Sequence, residues 1–169
     1  MHIIHKMHLF DIDVKNSQHF KESDTLSAGN NITVFDTKWG KMGLCICYDF
    51  RFPELARLMV DLGAKIILVP AAFNMTTGPL HWELLFQSRA VDNQVFTIGT
   101  APARNLNASY HSYGHSIIVS PWGKILNQAD FEETALFTTI NLNEINLVRE
   151  QIPLLRHRRL DIYRFNHFN

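Results

Sequence analysis

Two apolar runs, KIILVPAAF at 65–73 and VFTIGTAPA at 95–103, constrain the fold of this chain most. Each is continuous rather than alternating and β-branched at its centre, the pattern of a strand buried on both faces in a parallel sheet covered by helices. Between them HWELLFQSRAVDNQ (81–94) reads as a helix. Before them YDFRFPELARLMVDLGA (48–64) reads as another, with Pro53 suited to a first turn, an apolar stripe of Leu55, Leu58, Met59 and Leu62, and Gly63 placed to end it. Helices alternating with buried strands predict an α/β layered domain.

The flanking segments extend that pattern. Residues 1–10 read as a short strand and 11–31 as a long polar loop. ITVFDTKWGKMGLCIC (32–47) reads as two strands turning near Lys38–Gly40. HSIIVSPWGKILNQA (115–129) is two strands around a PWG turn, ETALFTTINL (133–142) a further strand, and EINLVREQIPLLRHRR (144–159) a helix broken near Pro153. With no linker, repeat or low-complexity stretch, the 169 residues read as a single domain, 1–169.

Composition narrows the function classes. Sixteen Lys and Arg balance sixteen Asp and Glu, which leaves no cationic surplus for phosphates and excludes nucleic acid as the main partner, along with a polybasic membrane surface. No apolar run of ~18 residues spans a membrane, and MHIIHKMHLFD lacks the layout of a signal peptide. Cys45 and Cys47, two apart on a strand and so ~6.7 Å apart, are poorly spaced for a disulfide. A reducing, cytoplasmic compartment is expected. His2, His5 and His8 alternate faces on a strand and do not form a metal-ligand grouping, so neither a metal nor another cofactor is expected.

Cys47 is the first candidate for chemistry, unless it is a buried structural cysteine. It ends an apolar strand and precedes a helix, where the helix dipole and nearby cations depress a thiol pKa. Arg51 and the backbone N–H groups after Cys47 are placed to hold an oxyanion. Lys6, alone in an apolar stretch, must be paired or desolvated, unless it is a surface lysine on an edge strand. Glu83, early in a helix beside His81 and Trp82, is either a dipole-favoured structural acid or a buried partner for a lysine.

In order along the chain, HKMHLFDID, GLCICYDFRFPELARL, PAAFNMTTGPLHWELLFQSRAVDNQ and GHSIIVSPWGKIL resemble the nitrilase superfamily of carbon–nitrogen hydrolases, most closely its omega-amidase branch. The resemblance runs from about residue 3 to about residue 164. It implies an α-β-β-α sandwich, a homodimer, and a small amide substrate of the alpha-ketoglutaramate or succinamate type. It implies Cys47 as nucleophile, Lys6 and the Tyr48 N–H as oxyanion donors, and Glu83 as an additional acid orienting the lysine. Arg51, Phe73, Asn74, Thr76, Thr77 and Arg104, on segments that follow sheet strands, are the expected substrate-binding residues. The family's general-base glutamate lies upstream of the lysine. Here five residues precede Lys6 and none is acidic. The chain is therefore expected to be the C-terminal portion of such an amidase, lacking the base and the strands that complete its sandwich. It is then active as it stands or with a complementing N-terminal piece, or inactive and acting only by association.

Overall fold

The computed structural model describes residues 3–15 and 18–164, so His2 lies outside the described residues. Residues 3–10 form no strand. The stretch read as a loop instead carries an antiparallel hairpin, β1 (Asp11–Val14) and β2 (Gln18–Lys21), followed by a 3-10 turn at Glu22–Asp24. Its polar sequence hid it. Both strands are largely exposed, so neither needs the apolar alternation by which a strand is read.

The body is one six-stranded sheet. β3 (Thr33–Thr37) and β4 (Gly40–Leu44) form the expected hairpin, with a tight turn over Lys38 and Trp39. Chain order then sets sheet order. Helix α1 (Pro53–Asp61) leads into β5 (Ile66–Pro70), parallel to β4, and α2 (Gly78–Asn93) leads into β6 (Phe96–Thr100), parallel to β5. β7 (Ile117–Val119) and β8 (Ile125–Gln128) complete the sheet antiparallel, and α3 (Asn143–Gln151), ending before Pro153, is the last element among the described residues. Residues 133–142, expected as a strand, form none. Gly63 adopts φ +100° just past α1, a conformation that favours a residue without a Cβ.

Both helices lie on one face of the sheet. Met59, Val60, Trp82, Phe86 and Ala90 from α1 and α2 pack with Ile67, Val69, Ile117 and Val119 into the main core, all buried. α2 approaches β6 so closely that a Cβ at Gly99 would stand 2.4 Å from Phe86 Cζ. The opposite face is only partly covered. Ile66 and Phe96 are buried with Ile145 of α3, but Leu68 and Ile98 remain half-buried. The apolar runs read as buried on both faces are thus fully buried on one. Of the expected α-β-β-α sandwich the described residues supply one sheet and its helical layer. No helix among them is long and apolar enough to cross a membrane.

Candidate active site

β4, β5 and β6 run parallel, and their C-terminal ends converge on one cavity of about 670 Å³, within the size range of small-molecule sites. Cys47 stands on its wall, three residues past β4, at the first position of a 3-10 turn (Cys47–Arg51). Its φ of +50° is rare outside glycine and marks a sharp elbow at this side chain. The turn has five residues and α1 begins only at Pro53. Lys6, Tyr48, Arg51, Phe73, Asn74 and Thr77 line the same cavity.

Lys6 reaches the cavity from the irregular N-terminal segment, and its Nζ meets Glu22 Oε2 at 2.5 Å. The same oxygen accepts the Phe10 N–H at 2.6 Å. Glu22 is the single carboxylate lining the cavity among the described residues. Sequence reasoning missed it because Lys6 and Glu22 are sixteen residues apart, and only the hairpin between them brings them together. The signal was Lys6 itself, since a lysine in an apolar segment requires an anionic partner.

Glu83 is not that partner. It is exposed on α2 and accepts a hydrogen bond from Gln128 Nε2 at 2.9 Å. Trp82 is fully buried, and one residue further along a helix is about 100° away. That step carries Glu83 off the buried stripe of Trp82, Phe86 and Ala90.

Arg51 is held at its tip. Its guanidinium contacts His81 Nδ1 at 2.9 Å, donates to Thr77 Oγ1 at 3.2 Å and lies 4.5 Å over the Phe73 ring. Thr77 in turn donates both its N–H and its hydroxyl to Asn74 Oδ1. His81 joins this cluster without having been expected. So does Tyr110, a cavity residue whose hydroxyl donates to the Ala72 carbonyl at 2.7 Å. Thr76 is exposed and does not line the cavity. Arg104 is also outside it, donating to the carbonyls of Ser112 and Tyr113 with Phe131 against its guanidinium. Two of its donors hold the loop that carries Ser112 and Tyr113.

The electrostatics reverse one expectation. Burial pushes the Cys47 thiol above its ordinary pKa, despite a hydrogen bond from the Ala72 backbone and the opposing charges of Lys6 and Arg51; the Glu22 charge adds to the upward push. The resting residue is a thiol, so attack on a carbonyl requires a base to take its proton. Burial likewise acts against the charge of Arg51. No group of three or more His, Cys, Asp or Glu among the described residues is arranged to hold a metal ion.

Residues 2–150 match the carbon–nitrogen hydrolase family. The chain is 52% identical over 158 residues to Omega-amidase NIT2-A of Xenopus laevis, covering 94% of this chain and 57% of that protein. It is also 52% identical to Omega-amidase NIT3 of Saccharomyces cerevisiae, over 94% of this chain and 54% of the relative. The crystal structure of Saccharomyces cerevisiae Nit3, a member of branch 10 of the nitrilase superfamily, superposes with a TM-score of 0.81 at 49% identity, covering 91% of this chain and 53% of that one. The fold is thus part of a nitrilase-type fold, and the chain spans about half the length of the relatives it matches. A family match over nearly the whole chain, with a thiol, a lysine and a carboxylate gathered in one cavity, establishes that the chain belongs to the carbon–nitrogen hydrolases.

Proposed function

We propose that this chain carries the nucleophile-bearing portion of a thiol amidase that hydrolyses the amide of small omega-amido dicarboxylates of the alpha-ketoglutaramate or succinamate type. The convergence of Cys47, Lys6 and Glu22 on the cavity that also holds Arg51 carries this reading. The Cys47 sulfur attacks the amide carbon. The carbonyl oxygen, becoming anionic, is received by the Lys6 ammonium and the Tyr48 N–H, which lies in the first turn of a helical segment where backbone donors lack intrahelical partners. Collapse breaks the C–N bond, the nitrogen leaves as ammonia with the proton taken from the thiol, and a thioester remains. Water, giving a proton to a base, cleaves the thioester to the acid and restores the thiol.

The distal carboxylate of the substrate suits the Arg51 guanidinium, a planar donor matched to carboxylates. Thr77 and Asn74 aim it and Phe73 floors it. Arg104 and Thr76, outside the cavity, take no part. The base is the weak point. Glu22 Oε2 is occupied by Lys6 and the Phe10 N–H, which suits it to holding the lysine rather than to shuttling protons. General-base help is worth about 10²–10⁴ in rate. The reading is therefore that full turnover needs a complementing N-terminal piece that supplies the base, in the reducing compartment that two free cysteines suit.

The test is ammonia release from succinamate and alpha-ketoglutaramate by the purified 169-residue chain. It is run alone and with a separately made N-terminal half of an omega-amidase relative, with Cys47→Ala as control. Turnover that rises on mixing and vanishes in the mutant is the expected result. Turnover by the chain alone makes Glu22 the base. None in any mixture of folded chains leaves a non-catalytic fragment that acts by association.

A further inference from the structure

Lys6 has no strand to hold it, yet it must stand at a fixed distance from Cys47. Glu22 fixes only the ammonium end of the side chain. The root is fixed elsewhere. Asp49, 1% exposed, lies two residues after Cys47 in the 3-10 turn. Its Oδ1 accepts the Met7 N–H at 3.1 Å, the His8 N–H at 2.7 Å and a contact from His8 Nδ1 at 2.9 Å. Its Oδ2 accepts the Ile46 N–H at 3.0 Å and a longer Met7 contact at 3.4 Å. One buried carboxylate therefore ties the residues following Lys6 to the residue preceding Cys47. The Lys6 carbonyl is held from its other side by the Gly29 N–H at 2.8 Å, and the His8 ring stacks on Phe52 at 3.7 Å.

We propose that Asp49 is a positioning residue for the reaction. It staples the backbone that carries Lys6 onto the elbow that carries Cys47, so that lysine and nucleophile move as one unit. The inference rests on the reading above, in which Lys6 acts beside Cys47. Both oxygens of Asp49 face N–H donors. An amide in its place turns an NH2 toward one of them whichever way it rotates, and a buried donor facing a donor is not tolerated. Asp49→Asn therefore opens the staple while changing no atom of Lys6, Glu22 or Cys47.

The experiment is the pH profile of iodoacetamide labelling at Cys47, followed by peptide mass to separate it from Cys45, in wild type, Lys6→Met, Asp49→Asn and His8→Ala, with thermal melts alongside. A cation near a thiol stabilises its thiolate. Losing Lys6 moves the inflection to higher pH by about one unit, which at a fixed pH below it is about tenfold slower labelling. Asp49→Asn is expected to move it in the same direction but by less, because losing the Asp49 carboxylate by itself favours the thiolate; His8→Ala, which keeps that charge and removes one donor of the set, is expected to move it upward too. A profile that moves in Lys6→Met but in neither folded Asp49→Asn nor folded His8→Ala, whatever their melting temperatures, leaves Asp49 as a mere turn cap and overturns the proposal. Should Asp49→Asn not fold, an unmoved profile in folded His8→Ala overturns it. If Lys6→Met leaves the profile unmoved, the pairing of Lys6 with Cys47 fails and the proposal falls with it.

Discussion

Cys47 sits between opposing influences, and burial wins over Ala72, Lys6 and Arg51. At neutral pH the wild-type chain should label with iodoacetamide more slowly than an unstructured peptide thiol, the rate climbing only past the usual range near pH 8.5; labelling faster than the peptide at pH 7 would show a thiolate and sink this. Cys45 gives a second prediction with a definite sign. Burial, aided by the charges of Asp49 and Cys47, holds its thiol far above the ordinary range. Below about pH 8.5 folded and unfolded chains keep this proton alike, so its contribution is fully present there. Above that pH the unfolded thiol ionises first, and stability falls by up to about 1.4 kcal/mol per pH unit for each such group. Tyr110, raised to about 12, enters only above about pH 10. Melting temperature should therefore fall between pH 8.5 and 10, and Cys45→Ala should make that fall shallower even if it lowers stability throughout. Equal slopes in the two proteins would remove Cys45 from the account. At this scale Cys47, Arg51 and the Asn74–Thr77 pair were legible because they lie within short contiguous blocks. Glu22 was not, since a contact across sixteen residues requires knowing the hairpin, and Glu83 was misplaced because it lies off the buried stripe of Trp82, Phe86 and Ala90.

The elements that hold the cavity open are set by close packing more than by propensity. α2 buries Trp82, Phe86, Ala90 and Asn93, residues three or four apart, and brings the outer end of the Phe86 ring against Gly99 of β6. The backbone at Gly99 needs no unusual φ, so its glycine is there for the approach of the helix. Gly99→Ala should destabilise the chain by about 1–3 kcal/mol, the usual cost of overpacking a closed core. Urea unfolding would measure it, and a loss below about 0.5 kcal/mol would mean that Phe86 has room to swing aside. The helices and strands of this core were readable from the sequence because their apolar periodicity is the packing. The hairpin at Asp11–Lys21 was not, because it is held by its own ladder and by bonds such as Ser23 N–H to Asp11 Oδ1 rather than by burial. The run at 133–142 failed the other way, being β-branched and aromatic yet finding no ladder to join; Phe137 in it is 87% exposed.

For the molecule as a whole, the sheet's second face decides behaviour in solution. The registers place Leu44, Leu68, Ile98 and Ile118 side by side across β4, β5, β6 and β7, one apolar row over four strands, and all four are only half-buried. The opposite face carries Ile67, Val69, Ile117 and Val119 at 1% exposure or less. A row this continuous on a sheet face is covered in stable proteins, and the described residues supply only α3 and the chain before it, over Ile66 and Phe96. The chain spans only 54–57% of the length of these relatives, so a covering layer is what the remainder of such a protein would add. Without it the cheapest cover is a second copy, sheet face to sheet face. Sedimentation velocity of the isolated chain should give an average mass above 19.5 kDa that rises with concentration. Leu68→Asn or Ile98→Asn, each placing an amide in the middle of the row, should lower that mass at equal concentration, and so should the N-terminal half of a relative added in slight excess, once the new heterodimer is counted apart. A 19.5 kDa monomer at every concentration, with no binding of a hydrophobic dye, would mean that the half-buried row is tolerated as it stands. The case for a complementing piece would then rest on the length of the relatives alone.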